Sequence, residues 1–270
     1  MPKVPPRDWT DISWPDVGAG DPAYWIAVLP LAATEQHGPH LPLATDVMIA
    51  QAYLERVREI MPAALPVTFL PIEEIGISTE HTDFPGTLTL STEVALKTWM
   101  AIGESVARAG VNKLVIVTSH GGNSAAMSLV AQDLRARHGL FVVTTSWSRF
   151  GAPQGMFSEQ ELRHGIHGGA VETSIMLARF GEHVRKDRIA DFSPVSIAME
   201  KKYRWLSAHR PVPFAWQAQD LHPSGAAGDA REASAEKGER LIEHGARAFI
   251  ELLDDVDKFD VSLLSERPRA

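Results

Sequence analysis

Apolar residues form two kinds of pattern along the chain, continuous runs of strand length and spaced repeats of helical period. The continuous runs lie at residues 25–31, 67–72, 113–118 and 140–145. Runs of this kind are typical of strands that are buried on both faces of a parallel sheet. Each run leads through a polar loop into a segment with helical spacing. This alternation predicts an α/β domain with a mostly parallel central sheet.

The helical segments have recognisable ends as well as apolar faces. They lie at residues 47–61, in stretches that begin at Ser91 and Asn123, in the stretch that holds Val171, Ile175 and Ala178, and at about 231–253. Ser91 and Asn123 are residue types that cap helix N-termini, and Gly110 and Gly139 are suited to the C-terminal ends. The predicted helix ends thus define where the loops between strands and helices begin and end.

The length of 270 residues suits one large domain or two small ones, and we interpret residues 1–270 as a single unit. Residues 1–21 are polar and rich in proline, and we expect an irregular N-terminal arm that Trp9 and Trp14 dock onto the domain. Residues 185–219 show no clean period. They predict an irregular excursion that covers the sheet or packs on a neighbouring subunit.

Composition excludes several classes of function. A net charge of −8 disfavours binding to nucleic acid or to an anionic membrane. The chain has no cysteine, which excludes disulfides, thiol nucleophiles and thiolate metal sites. Residues 1–21 contain no signal-peptide core, and no apolar run approaches the length of a membrane span. The default expectation is a cytoplasmic protein.

Chemically capable side chains concentrate in the loop between the first strand and the first long helix. This loop holds Glu35, His37 and His40, and Asp46 follows at the start of the helix. Glu35 and His37 point to the same side of an extended backbone because they are two residues apart. Carboxylates and imidazoles suit zinc, manganese or iron, and the two oxygens of Asp46 can bridge two ions. The alternative is that Asp46 or Thr45 only caps the helix and the histidines are polar loop residues.

Three further segments hold candidate residues, and one of them shares an edge of the predicted sheet with the first loop. His120 directly follows the third strand, so it shares the carboxyl edge of the sheet with the first loop. Residues 76–87 contain Ser78 and form either a pocket wall or a surface loop. Glu172 lies in the first turns of a helix, close to two glycines. The coincidence of two ligand-bearing loops at one edge is stronger than either motif alone.

Together these motifs resemble those of the creatininase (creatinine amidohydrolase) family. The resemblance is carried by Glu35-Gln36-His37-Gly38-Pro39-His40-Leu41-Pro42, Thr45-Asp46, Glu80-His81, Phe84-Pro85-Gly86-Thr87, His120-Gly121-Gly122-Asn123, His167-Gly168-Gly169 and Glu172-Thr173-Ser174. It implies a three-layer α/β/α sandwich and a metal-dependent amidohydrolase that cleaves non-peptide C–N bonds in small cyclic or linear amides. It also implies two divalent metal ions per chain, zinc with zinc, manganese or iron, and a homo-oligomer, often a hexamer.

The resemblance also assigns roles by position. Glu35, Asp46 and His120 would hold one metal, and His37 would hold the other with Asp46 as the bridge. His167 matches a histidine that contacts substrate near the scissile bond, and we count it as catalytic. We expect Ser78 and Trp147 on the substrate-binding side.

One motif departs from the family pattern. Family members that hydrolyse creatinine carry His-Tyr-Glu-Asn, where this chain has His120-Gly121-Gly122-Asn123. The family's Glu at that place is a ligand of the second metal, so creatinine is in doubt as a substrate. The His-Gly-Gly-Asn form indicates instead the branch that acts on formamides and on peptide-derived cofactor precursors. Glu172 is then the candidate for the missing ligand.

The expected reaction follows from charge. Two adjacent cations present a bridging hydroxide to the amide carbonyl and stabilise the oxyanion that forms. His167 then supplies the proton that the leaving nitrogen needs, or Glu172 does so if it is not a ligand. Two alternatives remain open, a metallopeptidase that acts on a small peptide-derived precursor and a non-catalytic metal-binding scaffold.

Overall fold

Four parallel strands form the central sheet of the protein. The computed structural model describes residues 3–264, so residues 1, 2 and 265–270 of the expected single unit lie outside the described part. The strands are β1 (Ile26–Leu31), β2 (Val67–Phe69), β3 (Lys113–Thr118) and β4 (Phe141–Ser146). They lie in the order β2-β1-β3-β4, and every neighbouring pair is parallel. The predicted sheet is confirmed, although β2 is shorter than its apolar run.

Helices cover both faces of this sheet. The α-helices within residues 3–264 are α1 (Trp14–Ala19), α2 (Thr45–Ile60), α3 (Thr92–Arg108), α4 (Ser124–His138), α5 (Glu159–His164), α6 (Ala170–Arg179), α7 (Ser196–Lys202), α8 (Ala218–Leu221) and α9 (Ala235–Lys258). Helices α2, α6 and α9 pack together on one face, and α3 packs with α4 on the other. The three-layer α/β/α sandwich is therefore confirmed.

The strands are continuously apolar because each one serves two cores. In β1, Ile26 and Val28 pack in the core beneath α2, α6 and α9. Ala27, Leu29 and Leu31 alternate with them and pack in the core beneath α3 and α4. All six residues of β1 are buried. Successive side chains of a strand point to opposite faces, so a central strand covered on both sides needs apolar residues at every position.

The helix ends agree with the sequence at Ser91 and Gly139 and disagree at Asn123. The Ser91 hydroxyl accepts a hydrogen bond from the Val94 N–H, and Gly139 ends α4 with a φ of 72°. Asn123 precedes α4, but its side chain makes no capping bond. Its amide instead donates to Ala32 O at 3.0 Å and accepts from Ile77 N at 3.0 Å. Asn123 therefore joins the loops that follow β1 and β2.

The N-terminal arm docks through its charged residues and through one tryptophan. The Arg7 guanidinium donates to Leu65 O at 2.6 Å, and Asp8 pairs with Arg58 at 2.6 Å. Trp9 packs against the core beneath α3 and α4. The expected docking of Trp14 is wrong, because its side chain is 86% exposed.

The excursion at residues 185–219 is more ordered than we expected. It contains α7, α8, the short parallel pair β6 (Leu206–Ser207) and β7 (Val212–Pro213), and the strand β5 (Asp191–Phe192). Strand β5 pairs antiparallel with β8 (Gly228–Asp229). Within residues 3–264, no helix is both long and apolar enough to cross a bilayer.

Candidate metal centre

The candidate ligands meet at the carboxyl edge of the sheet. Strand β1 lies between β2 and β3, so the loops that leave these three parallel strands are neighbours. The loop after β1 supplies Glu35 and His37, the first turn of α2 supplies Asp46, and the loop after β3 supplies His120. Helix α6 adds Glu172 from its own first turn. The structure thus brings together all five residues that we expected to hold metal.

Glu35, Asp46 and His120 form the first donor group. His120 Nδ1 lies 3.1 Å from Glu35 Oε1 and 3.5 Å from Asp46 Oδ2. His120 Nε2 donates to Ile77 O at 2.7 Å. A ligating histidine is normally oriented by such a bond from its other ring nitrogen. Nδ1 is therefore the nitrogen of His120 that is available to a metal.

His37, Asp46 and Glu172 form the second donor group. His37 Nε2 lies 3.7 Å from Asp46 Oδ2 and 3.8 Å from Glu172 Oε2. His37 Nδ1 donates to Glu35 O at 3.0 Å, which leaves the Nε2 lone pair directed at the two carboxylates. Asp46 is common to both groups, as a bridging ligand must be.

Several atoms of these groups are buried and have no hydrogen-bond partner. They are both carboxylate oxygens of Glu35, Asp46 Oδ2 and His37 Nε2. Leaving buried polar atoms unpaired is costly, and native structures rarely do so without a reason such as an ion. Divalent cations fit this donor set because carboxylates and imidazoles are their usual ligands. The structure does not favour the capping alternative, because Ala44, and neither Thr45 nor Asp46, occupies the N-cap position of α2, and Asp46 is 1% exposed.

The neighbours in this cluster move pKa values in opposite directions. Burial lowers the pKa of His37 to about 4. Burial also opposes charge on His120, but the Glu35 and Asp46 carboxylates raise the pKa of His120 to about 10. Burial and the charge of Glu35 raise the pKa of Asp46 above its ordinary value. A metal ion would take the place of the positive charge that His120 carries among these acids.

His167, which the resemblance places near the scissile bond, lies against the cluster. Its Nε2 donates to the Gln36 backbone oxygen at 2.6 Å, so Nδ1 is the nitrogen that faces Glu35 Oε1, at 3.7 Å. Its ring packs on His37 with centroids 4.1 Å apart. Glu35, His37 and His167 form a third possible donor group, so geometry alone allows His167 either to touch substrate or to bind metal.

The two other residues that we expected on the substrate side have different environments. Ser78 is buried in the loop after β2, and its hydroxyl has no partner. Trp147 lies in the core beneath α2 and α9, where its ring stacks on Tyr53 at 4.4 Å and meets Phe249 edge-on at 4.9 Å. The structure therefore brings Ser78 into the loop next to the cluster but uses Trp147 for core packing.

Sequence reasoning assigned no role to three residues that contact this cluster. His81 Nε2 lies 3.3 Å from Glu35 Oε1, and Gln36 Nε2 lies 2.7 Å from His81 Nδ1. Glu80 Oε1 lies 3.7 Å from His120 Nε2. The loop at residues 76–87 thus lies against the cluster. The signal was its position after β2, at the same sheet edge.

The glycine that departs from the family motif lies in a crowded place. A Cβ atom on Gly122 would come within 2.4 Å of both His120 Nε2 and Ile77 O, and within 2.7 Å of Glu80 Oε1. A carboxylate at this position therefore requires the loop after β2 to move.

Sequence comparison identifies relatives over most of the chain. The family model described as creatininase, creatinine amidohydrolase, matches residues 10–253. A mycofactocin precursor peptide peptidase of Mycobacterium ulcerans is 32% identical over 240 residues, which cover 87% of this chain and 84% of the relative. A creatinine amidohydrolase of Pseudomonas putida is 29% identical over 253 residues, which cover 86% of this chain and 90% of the relative.

Comparison with solved structures also identifies creatininases, and the descriptions of two of them name metals. A solved creatininase described as its Mn form has a TM-score of 0.74 and 25% identity, and covers 95% of this chain and 100% of its own. A mutant creatininase of Zn-Zn type has a TM-score of 0.72 and 26% identity over the same shares. The helix and strand arrangement of these enzymes therefore extends over nearly the whole protein.

Proposed function

Because the chain belongs to the creatininase family of metal-dependent hydrolases, we propose that it hydrolyses a non-peptide C–N bond of a small cyclic or linear amide at a two-metal centre. The observation that carries this proposal is the sharing of Asp46 by two donor groups, in which buried atoms of Asp46, Glu35 and His37 have no hydrogen-bond partner. Bound divalent ions would supply an activated water and polarise the amide carbonyl.

Each ion has its own protein ligands in this proposal. Glu35 and His120 hold one ion, His37 and Glu172 hold the other, and Asp46 serves both. Glu172 supports the ligand role through its placement: Oε2 accepts from Gly168 N at 2.6 Å and lies beside His37 Nε2. Three protein ligands per ion leave a position for water and substrate, as catalytic sites require.

His167 is the residue that we propose to handle the proton. The Gln36 carbonyl holds its Nε2–H, so Nδ1 faces the cluster. Burial and the neighbouring His37 lower the pKa of His167 to about 4, so the ring enters the reaction neutral. A neutral imidazole takes a proton at Nδ1 as water attacks and returns it to the leaving nitrogen. Ser78, with its unpaired hydroxyl, is the proposed hydrogen-bonding partner of the substrate.

Enclosure of the centre favours a small substrate. Glu35, His37, Asp46 and His120 are each at most 5% exposed. The side chain of Glu172 retains 22% exposure and that of Glu80 retains 19%, so access lies on their side. A peptide bond in the middle of an extended chain needs a cleft that is open at both ends. A small amide, or the end of a chain, needs only one opening.

The second candidate is a metallopeptidase that acts on a peptide-derived precursor. The peptidase relative from Mycobacterium ulcerans favours it, because its identity with this chain is as high as that of the creatinine amidohydrolase. Gly121 and Gly122 also favour the His-Gly-Gly-Asn branch and disfavour creatinine. We further propose a homo-oligomer, on the strength of the family resemblance.

A substrate panel tests the proposal. The protein, stripped with chelator and reloaded with zinc or manganese, is supplied with N-formylated amines, small lactams, creatinine and short peptides, and release of new amine is measured. We expect metal-dependent turnover of a formamide or lactam and little turnover of creatinine. Turnover of peptides alone would replace the proposal with the metallopeptidase. Efficient creatinine hydrolysis would refute the argument from Gly122.

A further inference from the structure

Gln36 lies between two proposed ligands, and its own side chain is almost fully buried. Its Oε1 accepts from Gly38 N at 2.9 Å, and its Nε2 donates to Gly225 O at 2.9 Å. A backbone N–H only donates and a carbonyl only accepts, so these two bonds settle which end of the amide is nitrogen. Gly225 permits the approach, because a Cβ there would lie 2.3 Å from Gln36 Oε1.

The second amide hydrogen of Gln36 determines the tautomer of His81. Gln36 Nε2 lies 2.7 Å from His81 Nδ1 and 3.2 Å from His167 Nε2. His167 Nε2 donates its hydrogen to the Gln36 backbone oxygen and cannot accept, so His81 Nδ1 is the acceptor. A neutral imidazole with an acceptor at Nδ1 carries its hydrogen on Nε2. His81 Nε2 lies 3.3 Å from Glu35 Oε1, and the two atoms do not form a hydrogen bond at that distance and angle. A closure of about 0.4 Å would bring the pair to the usual N–H···O distance.

Gln36 gives His167 the same Nε2–H tautomer but the opposite orientation toward Glu35. The backbone oxygen of Gln36 accepts the Nε2–H of His167, so that ring offers a lone pair on Nδ1. The rings of His81 and His167 stack with centroids 4.2 Å apart. Gln36 therefore orients two adjacent imidazoles. Of these two rings, His81 turns an N–H toward Glu35 and His167 turns a lone pair toward it.

We propose that His81 is a positioning residue, which holds the Glu35 carboxylate for metal through an Nε2–H that Gln36 keeps in place. His81 cannot be a ligand in this arrangement, because its cluster-facing nitrogen carries the hydrogen. The inference rests on the metal centre of the proposed function but not on the substrate. Its consequence is that His81 holds Glu35 Oε1 beside His120 Nδ1, 3.1 Å away, so that the carboxylate stays directed at the ion that it shares with His120 and Asp46.

Two substitutions at position 81 distinguish the role of the Nε2 position of the imidazole from that of the Nδ1 position. A glutamine amide nitrogen lies near the former Nε2, so His81→Gln keeps a donor toward Glu35. An asparagine amide nitrogen lies near the former Nδ1, so His81→Asn removes that donor. The control is His183→Asn, because His183 is about half exposed and its ion pair is with its neighbour Glu182.

The readout is zinc affinity, measured by competition with a chromophoric chelator on protein stripped of metal. Loss of an outer-shell partner of a metal ligand typically weakens affinity by about 10–100-fold. We expect that loss in His81→Asn, and less than about threefold loss in His81→Gln and His183→Asn. The weakened zinc ion should be the one that Glu35, Asp46 and His120 hold. Glu172→Gln should keep that ion, because Glu172 belongs to the other donor group. If the unsubstituted protein binds no zinc, the proposed function fails, and not this inference alone.

A second variant keeps the test valid if position 81 does not tolerate substitution. In Gln36→Glu the carboxylate would accept from Nδ1–H, so the His81 hydrogen would move away from Glu35. We expect the same 10–100-fold loss, with ¹⁵N chemical shifts that report the Nε2–H tautomer in the unsubstituted protein and the Nδ1–H tautomer in the variant. Unchanged affinity in His81→Asn, equal losses in His81→Asn and His81→Gln, or an Nδ1–H tautomer in the unsubstituted protein would each overturn the proposal.

Discussion

Asp46 is the residue whose substitution should have the largest effect on metal content. It is the shared member of the groups Glu35–Asp46–His120 and His37–Asp46–Glu172. Asp46→Asn keeps the shape of the side chain and removes its charge, so each ion is left with two strong protein ligands. Glu172→Gln is the matched comparison, because Glu172 belongs to only one of these groups.

The magnitude follows from the free energy of zinc binding. Zinc sites with four protein ligands bind with roughly 10–16 kcal/mol, or about 2.5–4 kcal/mol for each ligand. This is a loss of about 10²–10³-fold in affinity when one ligand is removed. We expect Asp46→Asn to weaken both ions by this factor, and Glu172→Gln to weaken one.

Equilibrium dialysis against buffered zinc, followed by elemental analysis, measures the loss directly. At a free zinc concentration that just saturates the unsubstituted protein, Asp46→Asn should retain close to no zinc and Glu172→Gln about one ion. Circular dichroism of each stripped variant checks that the fold survives. Retention of both ions by Asp46→Asn would refute the bridging role, and retention of both by Glu172→Gln would refute the ligand role of Glu172.

Three further predictions address other parts of the site. His167→Ala should keep its metal and lower kcat by roughly 10²–10⁴-fold, so loss of metal in elemental analysis would make His167 a ligand. In the stripped protein the pKa of His120 is raised to about 10, so the folded state holds a proton that the unfolded state releases above pH 6.5. This stabilisation is complete below pH 6.5 and is lost as pH rises toward 10, so urea unfolding should show stability falling by up to about 1.4 kcal/mol per pH unit, whereas a flat profile would contradict the shift. Gly122→Ala should lower both melting temperature and zinc content because its Cβ meets His120 and Ile77 O, whereas Gly121→Ala, with nothing within 4 Å, should change neither; equal behaviour of the two variants would contradict the crowding.

The layers of the fold could be predicted from the sequence, because strands that are buried on two faces are continuously apolar. Continuous apolar runs identified the four strands, and the helical stripes identified the long helices. The same pattern placed the loops of Glu35 and His120 at one edge, since parallel strands end on the same side. The candidate ligands followed from residue chemistry and from the family resemblance.

The contacts between loops required the tertiary structure. Asn123 has the composition of a cap, yet its amide bonds to Ala32 and Ile77, which are distant in sequence. Trp147 follows a strand in the manner of a site residue, yet it fills the core against Tyr53. A local sequence pattern does not predict whether Asn123 caps a helix or bonds to distant loops, or whether Trp147 faces substrate or the core. These alternatives are decided only when segments that are distant in sequence pack together.

The sequence by itself determined the sheet, its helical layers, the edge that carries the site and the chemistry of its ligands. Only the tertiary structure decided that Glu172 reaches His37 and that Gln36 holds His81 against Glu35. The physical reason is one of range. Periodicity and residue type act through neighbours along the chain, whereas hydrogen-bond direction and the filling of a buried site depend on atoms that the fold brings together.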